Sequence, residues 1–402
     1  MNEQRVVLAD FTPVELGPPV PQEELLNYLA WLMASARCAA QGVTSSGEAE
    51  GVLRAVQEKM QRYGVGPHFI ERRQFNVLPP PVQGSGQADG PPALPTGFEE
   101  LVREPRGPLL DERMRSFEAV ALEVFRRFYA ETSKAPDDLI HVTCSGYASP
   151  SPAQRIAAEK GWFSTAVLHS YHMGCYGAFP AMRSAVALLA PSVLGLPERK
   201  ARVDIVHTEY LSVHVGPLKD EPGDFVDQTL FGDGFIGYSA FPEDVFRASR
   251  TRRPGLRVLA SHEQLIPNSA EAMTWRLGPH QFDMFLSKEV PLLIRSSVAD
   301  FSRKLCARAG VDLQRDKREL LFAIHPGGPK ILDHCRDALG LEEAQVAHAR
   351  GVFRTLGNMS SATIPYVFKR LAEDDAVLPG TRIVSMGFGP GLTATGLLLE
   401  KC

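Results

Sequence analysis

Three residues in this chain are of the types that together carry out acyl transfer: Cys175, His325 and Asn358. Cys175 lies in Tyr171-His172-Met173-Gly174-Cys175-Tyr176-Gly177-Ala178-Phe179-Pro180, directly after a glycine and ahead of the helix formers Ala181, Ala185, Leu188 and Leu189. A thiol at the start of a buried helix feels the positive end of the helix dipole, which favours thiolate. His325 closes the apolar run Leu320-Leu321-Phe322-Ala323-Ile324 and precedes Pro326-Gly327-Gly328, while Asn358 follows Gly357. Acyl transfer needs a nucleophile, a base that holds it as thiolate, and donors for the developing oxyanion. Each residue type also has a plain structural use. A buried cysteine packs as a small hydrophobe, a histidine ends a strand, and an asparagine caps a helix. Spacing along the chain leaves both uses open.

The segments around these residues alternate between strand and helix. Strands are predicted over 5–9, 139–144, 164–170, 201–210, 256–261, 320–325 and 381–386, with a glycine-punctuated strand entry at 231–238. Helices are predicted over 21–40, 48–63, 111–133, 153–160, 288–309, 329–339, 341–351 and 362–371, and after Cys175. The reactive residues fall at strand ends and helix starts, which argues for a layered α/β architecture. Residues 79–97, rich in proline and glycine, read as an exposed loop.

Composition narrows the function classes. With 402 residues, 44% of them apolar, the chain can bury a large core in two domains or fused halves. A net charge of −4 gives no basic footprint for nucleic acid. The six cysteines show neither CxxC pairs nor metal-ligand spacing, so reduced thiols and no metal are expected. With no signal peptide evident at Met1-Asn2-Glu3 and no run of about 18 apolar residues, the expectation is a cytoplasmic protein without a membrane partner.

The context of the three residues supplies a resemblance. His325-Pro326-Gly327-Gly328-Pro329-Lys330-Ile331-Leu332-Asp333 resembles the histidine motif of chalcone-synthase-like, or type III, polyketide synthases. Gly357-Asn358-Met359-Ser360-Ser361-Ala362 is similar to their asparagine motif, and Gly387-Phe388-Gly389-Pro390-Gly391-Leu392-Thr393 to their C-terminal glycine loop. Leu230-Phe231-Gly232-Asp233-Gly234 resembles their mid-chain motif. The four stand in family order and the likeness runs from about residue 48 onward.

This resemblance implies a thiolase fold, five-layered αβαβα from two similar halves, in a homodimer. Residues 1–245 would form the half carrying the cysteine, and 246–402 the half carrying His325 and Asn358. Cys175 would hold the acyl chain as a thioester. His325 and Asn358 would stabilise the oxyanion of a Claisen condensation, with His325 also maintaining the thiolate. Cys144 and Ser360 would be cavity neighbours, and Gly389 and Pro390 would shape the condensation cavity.

Departures from the family pattern bear on the substrate. Lys59 and Arg62 match two of three cations that hold the phosphates of coenzyme A, Gly66 takes the third place, and Arg72 and Arg73 lie nearby. Met284, and His214 or Val215, replace the phenylalanines that usually narrow the cavity mouth, and Trp275 fills a usually small position. A reshaped pocket and a weakened nucleotide site suit a phosphopantetheine arm presented by an acyl carrier protein. The resulting expectation is a ketosynthase that joins two β-ketoacyl thioester chains and closes an α-pyrone, similar to the myxopyronin and corallopyronin type of antibiotic biosynthesis. Its alternative is iterative extension of an acyl-CoA starter by malonyl-CoA. Neither needs a permanently bound cofactor. A non-catalytic partner subunit is a third reading, against which the retained cysteine, histidine and asparagine speak.

Overall fold

The computed structural model describes residues 5–77, 104–190, 199–248 and 253–402. The predicted loop 79–97 lies outside the described residues. The strands are β1 (Val6–Pro13), β2 (Val20–Pro21), β3 (Arg72–Arg73), β4 (Asp138–Thr143), β5 (Ala166–Tyr171), β6 (Val203–Glu209), β7 (Gly234–Pro242), β8 (Gly255–Leu265), β9 (Met273–Leu277), β10 (Phe282–Leu286), β11 (Leu321–Ile324), β12 (Arg382–Gly389) and β13 (Thr393–Lys401).

Nine of them form one mixed sheet in the order β11-β12-β13-β8-β1-β7-β6-β4-β5. The pairs β4–β5, β4–β6 and β11–β12 are parallel and the rest antiparallel. The fold is the mixed α/β arrangement of the thiolase type, with one difference from two separate sheets. The strands before residue 245 and those after 246 are joined by a short ladder, in which Val7, Leu8 and Ala9 face Arg257, Leu256 and Gly255.

Burial explains which segments became central. Every residue of β4, β6 and β7 is buried, as expected for strands covered on both faces. By contrast β5, at the sheet edge, leaves Leu168 exposed. Helix Ala178–Leu189 lies against β4, β6, β7 and also β13. It buries Ala178, Ala181, Met182, Ala185 and Leu189, a helical spacing in which three alanines allow close approach to strands. Helix Thr363–Glu373 similarly meets β1, β7, β8 and β11. These two helices form the inner layer, and the 3₁₀ turns that lead into them, Gly174–Tyr176 and Ser360–Ala362, touch one another. Among the described residues no helix is long and apolar enough to cross a membrane.

Candidate active site

Cys175 sits in the 3₁₀ turn rather than in the helix that follows. Gly174 enters that turn with φ +70°, a conformation side chains disfavour, and a Cβ there would stand 2.5 Å from Pro390 Cδ. The nucleophile turn is therefore seated directly on the glycine loop after β12. Phe179 and Tyr176 pack beneath it in the core. Gly387 lies against Phe179 and the base of His325, so the same loop meets both halves of the predicted pair.

Asn358 is placed by backbone pairing with the mid-chain motif. Its N–H donates to Leu230 O at 3.2 Å, and Gly232 N–H donates to its carbonyl at 3.0 Å. Its side-chain oxygen accepts the Ser360 N–H at 2.8 Å, which turns the amide nitrogen toward Cys175 Sγ at 3.9 Å and Gly327 O at 3.4 Å. Ser360, at φ 49°, is held in the left-handed region by that bond and by Thr363 Oγ1, which donates to its carbonyl at 2.9 Å. His325 extends β11, its N–H donating to Met386 O at 2.8 Å. Both its ring nitrogens are buried without a hydrogen-bond partner. Buried polar atoms are normally satisfied, so an imidazole left open beside Gly327 reads as a group waiting for a ligand. Asn358 and Cys175 thus meet directly, while His325 joins them through Gly327 rather than by a bond to the thiol.

Burial opposes the charge that the helix dipole favours. Burial pushes the Cys175 thiol up to about 12, outweighing the hydrogen bonds from Ser360 and Asn358 that favour thiolate. Burial likewise pushes His325 down to about 3. Desolvation in the buried pocket thus opposes the charged form of both groups.

Cys144, Gly174, Cys175, Ser360 and Pro390 line a cavity of about 20 Å³, closed on its other side by Leu211, Phe231, Met273, Trp275 and Met284. A second chamber of about 50 Å³ adjoins it and shares Leu211, Phe231, Trp275 and Met284. Trp275 and Met284 face each other across the β9–β10 hairpin. The indole N–H donates to Cys144 O at 2.7 Å, and His172 Nε2 donates to Trp275 O at 2.9 Å.

His214 and Val215 line the second chamber, but His214 is fixed as neutral wall. Its Nε2–H donates to Ser145 O at 2.8 Å, its Nδ1 accepts Phe282 N–H at 3.2 Å, and burial pushes it down to about 3. The buried Arg113 holds this segment through the carbonyls of Val213 and Val215. A phenylalanine does stand where the chambers meet. It is Phe231, which sequence reasoning used as a motif residue and not as a wall.

The cations divide. Lys59 pairs with Asp220 at 2.5 Å, which also pairs with Arg37 at 2.7 Å, and Arg62 lies 5.3 Å from the Tyr63 ring centre. Asp220 adjoins Lys219, a wall residue of the second chamber. Arg73 offers no phosphate site. It is wholly buried, donates to Gln22 Oε1 at 2.7 Å, to Gln228 O at 3.1 Å and to Phe231 O, and anchors the segment that positions Asn358.

Sequence reasoning missed Glu209, at the end of β6. It is fully buried and accepts from Cys144 N–H at 3.0 Å, Cys144 S–H at 3.2 Å, Ser361 N–H at 3.3 Å and the Ser361 hydroxyl. The available signal was a carboxylate closing a strand that carries Val203, Ile205 and Val206, Val203–Glu209. Among the described residues no cluster of three or more histidine, cysteine or acidic groups could hold a metal ion.

Residues 257–402 match the family described as chalcone and stilbene synthases, C-terminal domain. The fold is shared with solved type III polyketide synthases. The C-terminal type III domain of Steely1, a type I/III hybrid from Dictyostelium, is 21% identical with a TM-score of 0.75, over 98% of this chain and 99% of that one. PKS-I from the brown alga Ectocarpus siliculosus is 22% identical with a TM-score of 0.75, over the whole of both chains.

Proposed function

We propose that the chain is a condensing acyltransferase of the type III polyketide synthase kind. The observation that carries this reading is the meeting of Cys175 and Asn358, with the open imidazole of His325 behind Gly327, in a buried pocket of a thiolase-type fold. Cys175 Sγ attacks the carbonyl of an acyl thioester, the carrier thiol leaves, and the acyl chain stays on Cys175. The α-carbon of a second thioester, on losing its proton, then attacks that carbonyl, and the bond to Cys175 Sγ breaks, so that the proton and the sulfur restore the free thiol. Asn358 Nδ2–H and a His325 ring N–H donate to the oxygen on which charge develops. Because the three residues are buried, these neutral donors act in a low dielectric, where they are worth more than in water.

Within that chemistry we favour the joining of two β-ketoacyl chains, followed by lactonisation to an α-pyrone. Two adjoining pockets that share Phe231, Trp275 and Met284 support this, since they give the site two branches. Delivery on an acyl carrier protein is favoured over coenzyme A, because Lys59 is already paired and Arg73 is buried. A homodimer is favoured by the uncovered β5 edge, where Phe163 and Leu168 are exposed.

Intact-mass analysis tests the reading. The wild-type chain, given an acyl-carrier thioester, gains one acyl group, which peptide mapping places on Cys175, and Cys175→Ala gains none. Asn358→Ala lowers the condensation rate about 10²–10³-fold, the usual effect of removing one oxyanion donor. Acylation that survives Cys175→Ala overturns the covalent mechanism. A clear preference for the matching coenzyme A thioester overturns carrier delivery, and loss of one CO₂ per condensation from labelled malonyl extender favours the iterative alternative.

A further inference from the structure

The helix Pro222–Leu230 has two faces. Phe225 and Thr229 are fully buried, Phe225 in a cluster with Leu25, Leu29 and Met33 of helix Gln22–Gln41. Asp224, Asp227 and Gln228, spaced i, i+3 and i+4, line the second chamber. Most other polar groups around that chamber already have partners. The Ser212 hydroxyl donates to Asp233 Oδ2 at 2.8 Å, both ring nitrogens of His214 are bonded, and the Trp275 N–H donates to Cys144 O. Lys219 Nζ lies 2.8 Å from Asp283 and 3.6 Å from Asp224, which also accepts the Glu221 N–H at 2.9 Å.

Asp227 and Gln228 are the exceptions. Among the described residues the Asp227 carboxylate makes neither a hydrogen bond nor an ion pair. Burial pushes its carboxyl up to about 7, with Lys219 opposing that shift from a distance and Asp224 adding to it. Gln228 is 9% exposed, its Nε2 faces Met33 Sδ at 4.0 Å, and its Oε1 is buried without a partner. Buried polar atoms are normally satisfied. Two open acceptors on one helical turn, in a chamber adjoining the nucleophile cavity, are complementary to a hydrogen-bond donor.

We propose that Asp227 and Gln228 are specificity-determining residues, which select an acyl chain carrying a hydroxyl or amide N–H group at its far end. The donor gives its hydrogen to the Asp227 carboxyl or to Gln228 Oε1, and a primary amide reaches both. Asp227 accepts in either protonation state, since a protonated carboxyl keeps lone pairs. A chain ending in a methyl group would strip water from both acceptors and return no hydrogen bond. A chain ending in a carboxylate would meet Asp224 and Asp227, while the nearest cation, Lys219, is held by Asp283 and Asp224. The inference rests on Cys175 taking the acyl chain, and it adds what that chain carries.

The pantetheine arm of a carrier also offers amide N–H groups, but the chamber suits the chain better. Phe75, Leu211, Val215 and Phe282 give it hydrocarbon walls. An arm lying here would bring its phosphate toward Asp224 and Asp227, where like charges repel. The cations on that side, Lys219 and Lys59, are already paired with carboxylates.

The test is the second-order rate of Cys175 acylation, read by intact mass on the full chain. The probes are a homologous series of straight-chain acyl thioesters of pantetheine, each ending in a methyl, hydroxyl, primary amide or carboxylate group. At the length that reaches the chamber, the wild-type chain should prefer the hydroxyl or amide end over the methyl end about 10–100-fold, the effect of one buried acceptor left unpaired, with the carboxylate end slowest. Asp227→Leu and Gln228→Met should abolish the preference by speeding the methyl-ended chain, a gain that structural damage would not produce. Chains too short to reach the chamber should acylate both variants at the wild-type rate. Equal wild-type rates for methyl and hydroxyl ends at every length overturn the proposal without need of a variant. Slowing of every pantetheine thioester in Asp227→Leu, whatever its chain end, and none with the S-ethyl thioesters of the same chains, overturns it in favour of the arm. Failure of the nucleophile assignment looks different: Cys175 then takes no acyl group from any thioester, and this inference falls with it.

Discussion

Gly174→Ala is the sharpest probe of how the fold holds its nucleophile. The substitution adds one methyl group, but the position combines two obstacles. At φ +70° an L side chain costs roughly 1–2 kcal/mol. The new Cβ would also lie 2.5 Å from Pro390 Cδ, so the turn or the glycine loop must move, an overpacking typically worth about 1–3 kcal/mol. The expected destabilisation is the sum, about 2–5 kcal/mol. Gly310 supplies the control. Its φ is +69° and a Cβ there meets nothing within 4 Å, so Gly310→Ala should show the backbone part alone, about 1–2 kcal/mol. The difference between the two variants in denaturant titrations isolates the Pro390 contact. A displacement of Cys175 by about 1 Å should also slow its acylation roughly 10²-fold in Gly174→Ala and not in Gly310→Ala. If the two variants lose equal stability and both acylate at the wild-type rate, the nucleophile turn is not seated on the glycine loop as argued.

Trp275→Ala should merge the two chambers and shift products to longer or bulkier acyl chains by mass spectrometry, while leaving Cys144 O without its donor. Unchanged products would show that Trp275 does not divide the cavity. Leu168→Lys puts a charge on the uncovered edge strand β5 and should convert a dimer to a monomer in sedimentation, whereas a retained dimer would place the interface elsewhere. His214→Phe should blunt the acid sensitivity of the fold. The folded histidine is pushed down to about 3 and the unfolded one titrates near 6.5, so its stabilisation is full above about 6.5 and is lost as pH falls toward 3. The stability deficit of the variant at neutral pH should therefore narrow on acidification, and a constant deficit would contradict a buried neutral His214.

What was legible in the chain is what local chemistry decides. Helix Pro329–Leu339 matches its predicted span because Pro329 opens it and Gly340 closes it in a left-handed conformation. The buried strands announce themselves through closely spaced apolar residues, Leu139, Ile140 and Val142 in β4 and Val203, Ile205 and Val206 in β6. The β9–β10 hairpin did not, because its residues are half exposed and are held by distant groups such as His172, Cys144 and His214. Strand β13 was missed for another reason. Its Leu397-Leu398-Leu399 run has no strand periodicity of its own, and it becomes a strand by pairing with β8 and β12.

The candidate site divides along the same line. Cys175, His325 and Asn358 are visible because glycines beside them mark close backbone approach. The helix dipole is a local effect that favours the Cys175 thiolate, and burial is a tertiary one that opposes it and pushes the thiol up to about 12. Glu209 was passed over for the converse reason. A carboxylate at the end of a strand looks like a solvated edge until the turn Ser360–Ala362, over 150 residues later, folds across it. The buried polar groups around this pocket are thus the ones least visible in the chain, since each gains its meaning only from the segment that buries it.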